Sequence, residues 1–232
     1  MHVQKTITGL RLLHGGHVVS ELLALPGPTN SVFDVLAACV MVCSPGPDAA
    51  MLGFAGGGTV AALRALGWDY PLVGVDLELA GAKLFSKLTR SWCRDVSVVQ
   101  ADAAEFLQHS VRCYGAIVED LSVQLPGGDV QKPDVSLTTL PALIGQRLAP
   151  RGVAVLNLLP SPNVGWVKLL RHARKPFAQA RLIHMTEYEN GVLVGGPDVP
   201  SARALGRDVQ ACLEVLGSEL AGTVRVMDLG QA

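Results

Sequence analysis

Ala49-Ala50-Met51-Leu52-Gly53-Phe54-Ala55-Gly56-Gly57-Gly58-Thr59-Val60-Ala61-Ala62-Leu63 decides how this chain is read: a short apolar run, a turn holding four glycines, then an amphipathic run. Gly53, Gly56, Gly57 and Gly58 remove side chains where backbone must bend sharply and approach a ligand closely. The residues after them open a helix whose first N–H groups would face that ligand. Two acids follow at matching places. Asp76 ends the next apolar run, residues 70–76, and Asp102 ends the one after it, residues 96–102. In an open parallel sheet, ligands bind beyond the carboxyl ends of the strands. Turn, acid and acid at successive strand ends therefore predict a nucleoside site, one carboxylate taking a ribose diol and the other an exocyclic amine. The plainer alternative is that either acid only caps the helix after it.

Composition bounds the rest. A chain of 232 residues, 49% hydrophobic, can bury one large core with room for a small appendage. A net charge of −1 gives no global basic field, so nucleic acid is unsupported as a partner. Only 17% of residues are charged and mean hydropathy is +0.35, which suits a well-buried sheet and is compatible with an apolar subunit interface. No apolar run reaches the length of a membrane span; the most apolar stretch, Val32–Val42, is short and carries Asp34. The first residues lack the apolar core of a signal peptide. Cys39, Cys43, Cys93, Cys113 and Cys212 are odd in number and show no CxxC spacing, so they read as reduced packing residues of a cytoplasmic protein. Cys39 and Cys43 share a helix face without a nearby His pair, and no metal site is expected.

Along the chain, residues 1–28 read as a β-hairpin appendage turning at His14-Gly15-Gly16, and residues 29–232 as an α/β domain. A helix is expected from Ser31 to Cys43, capped by Asn30 or Ser31. Strands are expected at Ala49–Phe54, Leu72–Val75, Val96–Gln100, Gly115–Glu119, Val153–Leu158, Gln179–Met185, Gly191–Val194 and in the final run 222–229. Helices are expected at Thr59–Leu66, Glu78–Thr89, Ala103–His109, Thr138–Leu148 broken or bent at Pro141, Asn163–His172 and Ser201–Leu216.

These motifs resemble those of class I S-adenosylmethionine-dependent transferases, and within that fold the spermidine synthase-like branch. Gly53-Phe54-Ala55-Gly56-Gly57-Gly58-Thr59 stands where that branch carries GGGDGGT, with Gly56 in place of the acid. Val75-Asp76-Leu77-Glu78 resembles its VEID segment, Asp102-Ala103-Ala104-Glu105-Phe106-Leu107 its DAxxFL segment, and Tyr114-Gly115-Ala116-Ile117-Val118-Glu119-Asp120 its YDVIIVD strand. The resemblance implies a seven-stranded Rossmann-like sheet with helices on both faces, S-adenosylmethionine as cofactor, and a homodimer. It implies cofactor contacts at Gly53, Phe54, Ala55, Gly56, Gly57, Asp76, Leu77, Asp102, Ala103 and Asp120, with Asp76 on the ribose and Asp102 on adenine.

Departures narrow the activity. Val123 stands where a second acid would handle a polyamine, and Val32-Phe33-Asp34-Val35 where a Tyr-His-Glu-Met segment would. A polyamine needs several carboxylates, so methyl transfer to a small molecule or an exposed side chain is the expected activity, ahead of aminopropyl transfer. Asp120 is the candidate base, Glu119 points to the opposite strand face, and Asn157 is placed to orient an acceptor. The loop Pro160–Trp166 could wall the acceptor, and His184 could face it. His14 and His17 read as solvated turn residues. Two other classes compete: a nicotinamide-dependent oxidoreductase, from the near-match of Gly53-x-Ala55-x-x-Gly58 to GxGxxG, and a non-catalytic binding or assembly module.

Overall fold

The computed structural model describes residues 2–124, 130–161 and 164–231. Three strands, β1 (His2–Lys5), β2 (Gly9–His14) and β3 (His17–Leu23), form an antiparallel N-terminal sheet in that order. Gly15 and Gly16 lie at φ +57° and +88° between the paired residues His14 and His17. Two left-handed residues in a two-residue loop match the twist of the flanking strands. The expected hairpin is thus β2–β3, and β1 is an added strand that its short polar sequence did not announce.

Helix α1 (Val32–Cys43) is capped by the Ser31 hydroxyl, which accepts from the Phe33 N–H. Asp34 can sit fully buried within this apolar helix because four donors meet its carboxylate: the Thr29 and Asn30 N–H groups and the Thr29 and Ser218 hydroxyls. Strands and helices then alternate: β4 (Ala49–Leu52), α2 (Gly58–Ala65), β5 (Leu72–Asp76), α3 (Ala80–Leu88), β6 (Val96–Gln100), α4 (Ala103–His109) and β7 (Tyr114–Glu119). A small hairpin, β8 (Val123–Gln124) with β9 (Val130–Gln131), precedes α5 (Asp134–Leu137), α6 (Leu140–Arg147) and β10 (Leu148–Leu158). The chain closes with α7 (Trp166–Arg174), β11 (Gln179–Met185), β12 (Gly191–Gly196), α8 (Ala202–Leu216) and β13 (Val224–Gln231).

The main sheet runs β13-β11-β12-β10-β7-β4-β5-β6, with β10, β7, β4, β5 and β6 parallel and β12, β11 and β13 antiparallel to their neighbours. Seven strands make the expected Rossmann-like sheet, and β13, from the final run, extends it to eight. Strands β10, β7, β4 and β5 are near-continuous apolar runs where helices cover both faces, whereas β6, at the edge, is largely exposed. Pro141 neither breaks nor bends this helix: it sits at the start of α6, where its missing N–H has no acceptor to lose. Leu148 belongs to β10, not to that helix. The helix expected from Asn163 starts at Trp166, while Pro162 and Asn163 lie outside the described residues. Among the described residues no helix is long and apolar enough to cross a membrane.

This order fixes where a ligand can go. Successive connections leave β4 toward β5 on one side and reach β7 on the other, so a crevice opens beyond the carboxyl ends of β4 and β7. Register pairs Leu52 with Glu119, which puts Gly53 and Asp120 side by side at its mouth.

Candidate functional site

Gly53 adopts φ +85°, and a Cβ there would lie 2.6 Å from the Asp120 carbonyl oxygen. Only glycine allows both the turn and that approach. Ala55 follows at φ +44°, a strained conformation for a residue with a Cβ. Its N–H donates to Asp76 Oδ2 at 2.7 Å, while Asp76 Oδ1 accepts from the Glu78 N–H at 3.0 Å. One carboxylate therefore ties the glycine turn to the end of β5. Each oxygen has one lone-pair direction left for a ligand hydroxyl.

Asp102 caps α4, with Oδ1 accepting from the Ala104 and Glu105 N–H groups at 2.8 and 3.0 Å. The capping alternative is thus realised, yet Oδ2 carries no hydrogen bond among the described residues and can accept an amine. Ala103 opens α4 with an N–H that no intrahelical carbonyl reaches. Leu77 is 64% exposed beside Asp76 and offers an apolar face to a ring. The chemistry of a nucleoside, diol, ring edge and ring face, fits this part of the sheet edge.

The first turn of α2 is placed differently from expectation. The Gly58 N–H donates to the buried Ser20 Oγ at 3.2 Å, so β3 and not a ligand receives it. A Cβ at Gly56 would meet Leu22 Cδ1 at 2.4 Å and Leu12 Cδ1 at 2.9 Å, and one at Gly57 would meet Phe54 and Phe85. Phe54 packs edge-on to Phe85 and against Gly74 at 1% exposure. Its side chain is core, and only its backbone is left to the turn. The N-terminal sheet is therefore a lid of Leu12, Ser20 and Leu22 on the glycine turn.

Beyond the lid lies a cavity of about 960 Å³ between the N-terminal sheet and the sheet edge. Asp120 is on its wall with Asn157, which donates from Nδ2 to Asp120 Oδ1 at 2.6 Å. Asn190 donates in turn to Asn157 Oδ1 at 2.9 Å. Burial pushes the Asp120 carboxyl up to about 6; Lys132 and Asn157 pull it down and Glu119 adds to the rise. Glu119 does face the other way. Its Oε1 accepts from Lys132 Nζ at 2.7 Å, the Ser136 hydroxyl at 2.9 Å and the Leu121 N–H at 3.0 Å, and the Glu119, Lys132 and Ser136 side chains are buried. This is a structural cluster under the site.

Other cavity residues come from the N-terminal third: Arg11 paired with Glu21 at 2.7 Å, His17, and the loop Thr29–Ser31. Tyr188, whose hydroxyl donates to the Asn30 carbonyl at 3.1 Å, closes one end. Sequence reading passed over Lys132, Ser20, Tyr188 and Asn190. Asn190 sits in a turn signal, Glu189-Asn190-Gly191, and nothing in that signal distinguishes a partner of Asn157. His184 does not line the cavity; it lies 6.4 Å from the Trp166 ring, which itself packs over Gly191. Trp166 is thus a packing residue at the head of α7.

Solved structures share this architecture. Spermidine synthase from Thermotoga maritima superposes with a TM-score of 0.64 at 15% identity, covering 95% of this chain and 79% of that one. Human methyltransferase-like protein 13 in complex with SAH gives 0.62 at 14% identity, covering 82% and 92%. The fold is that of the class I methyltransferases. A spermidine synthase in complex with the transition state analogue AdoDATO is equally similar, with a TM-score of 0.64 at 15% identity over 92% of this chain and 73% of that one. No family profile matches the chain, and no curated protein matches its sequence.

Proposed function

We propose that this chain is an S-adenosylmethionine-dependent methyltransferase whose acceptor is a small molecule held in the cavity beside Asp120. The observation that carries the reading is the placement of Asp120 between the glycine turn and that cavity, with its carboxyl near 6 and held by Asn157. A carboxylate of that basicity, ionised at neutral pH, accepts a proton from an acceptor nucleophile. Bound cofactor supplies an electrophilic methyl on a sulfonium. Asp76 holds the ribose hydroxyls, Leu77 the ring face, Asp102 the adenine amine, and the Ala103 N–H a ring nitrogen, while Gly53 and Ala55 let backbone come close. The N-terminal sheet shields the cavity from water, and alignment of acceptor and methyl provides much of the rate.

One observation favours a second reading, aminopropyl transfer. With Gly58 N–H given to Ser20 and Gly56 covered by Leu12 and Leu22, the α2 N-terminus is closed to a carboxylate, which a decarboxylated nucleoside lacks. Against it, Val123 leaves a polyamine short of one acid.

Isothermal titration with S-adenosylmethionine, S-adenosylhomocysteine, methylthioadenosine and NAD, repeated on Asp76→Ala, tests both. Micromolar binding of the first two, weakened at least tenfold in the variant, is the expected result. Preference for methylthioadenosine selects the second reading, NAD binding replaces both with an oxidoreductase, and no binding leaves a non-catalytic module.

A further inference from the structure

Strand β6, Val96-Ser97-Val98-Val99-Gln100, ends the main sheet and among the described residues pairs on one side only, with β5. The Asp95 carbonyl accepts from Leu72, and the Ala101 N–H donates to Asp76. Alternation along the strand then turns the N–H and C=O groups of Val96, Val98 and Gln100 outward. Natural edge strands are protected by charge, proline, bulges or a covering element. This one has no charge and no proline, and Val99 is 40% exposed on one face.

On the other face, an open groove of about 450 Å³ runs between β6 and α3. Val96, Val98, Leu79 and Ala82 form its apolar floor, and Lys83, Lys87 and Arg90 its rim. Those three cations are exposed and take part in no ion pair among the described residues. Lys83 and Lys87 are one helical turn apart, about 6 Å along the axis. Alternate residues of an extended peptide are about 6.7 Å apart.

We propose that the β6 edge and the basic rim of α3 form a docking site for an acidic, extended segment of a partner protein, which adds to the sheet as a further strand. Outward backbone groups supply the ladder, and the apolar floor with its cationic rim selects acids at alternate positions on the α3 side. A second copy of this chain does not fit. Antiparallel β6–β6 pairing across a two-fold axis sets both α3 helices on one face of the joined sheet, with their basic rims side by side. Single-stranded nucleic acid is less suited too, since among the described residues no aromatic side chain lines the groove for base stacking.

The probe is a fluorescein-labelled octapeptide alternating glutamate and valine, followed by anisotropy with the intact protein. Micromolar binding is expected, weakened at least tenfold by the surface variant K83E/K87E/R90E and absent for the corresponding lysine–valine peptide. Amide exchange by NMR supplies the decisive readout. Strand addition slows exchange at Val98 and Gln100 when peptide is bound, and Val98→Pro, which deletes one outward donor, abolishes binding. Four results overturn the proposal: no binding, binding without protection of those amides, displacement by oligothymidylate at equal concentration, or a concentration-dependent dimer in sedimentation that Val98→Pro dissolves.

Discussion

Asn157 Nδ2 donates to Asp120 Oδ1 at 2.6 Å, and this bond joins the ends of two neighbouring parallel strands, β10 and β7, across the mouth of the cavity. It stabilises the charged form of a carboxyl that burial drives toward neutrality. Asn157→Ala therefore moves the Asp120 midpoint above 6, read by carbon NMR of the labelled carboxyl. In the transfer reaction, the acid limb of the rate profile shifts the same way.

Asp120 also sets a pH dependence of stability. Its folded carboxyl titrates near 6 against an ordinary 3.8, so the folded state holds the proton more tightly. The stability it contributes is complete below about pH 4 and is lost as pH rises through 6, by roughly 3 kcal/mol at most. Urea unfolding at pH 4 and pH 8 is expected to show a smaller loss in Asp120→Asn than in the natural chain.

The lid over the glycine turn predicts a compensating pair. Gly56→Ala drives a methyl into Leu22 and Leu12 and costs about 1–3 kcal/mol by overpacking. Leu22→Ala alone costs about 2–5 kcal/mol as a cavity. Combined, the two are expected to cost clearly less than their sum, because the new methyl enters the vacated space. Thermal unfolding of the four proteins in the cycle measures the coupling.

Lys132 and Glu119 form a buried pair. Lys132→Met leaves a buried carboxylate without its cation and costs about 3–5 kcal/mol. Lys132→Met with Glu119→Gln is expected to recover much of that, since the glutamine carbonyl still accepts from Ser136 and Leu121. Urea midpoints decide it. Equal losses in single and double variants contradict the role given to the ion pair.

Much of the architecture is legible in the sequence alone. Apolar runs of strand length, helical periodicity between them and glycine-rich turns at their junctions are local properties, and each followed from local sterics and burial. Ser31 capping α1, the two-residue Gly15-Gly16 turn, the strand end at Asp76 and the helix-opening Asp102 just past β6 belong here. Where the structure differs from that expectation, a tertiary or positional effect is responsible: Pro141 stands at the start of a helix because the chain before it breaks at Thr138–Thr139, and β1 exists because β2 offers it an edge.

The sequence by itself determined the order of the main-sheet strands and of the helices between them, and the residue types at the sheet edge, because backbone preferences and hydrophobic periodicity act over a few residues. Tertiary structure alone decided what meets there. Ser20 takes the Gly58 N–H from 38 residues away, Asn157 reaches Asp120 across 37, and Ser218 closes on Asp34 across 184. Such pairs leave no periodic trace, since any hydroxyl or amide at the right point in space satisfies a buried donor or carboxylate. The lid on the glycine turn and the charge state of Asp120 are consequences of those distant contacts, and so are properties of the folded chain only.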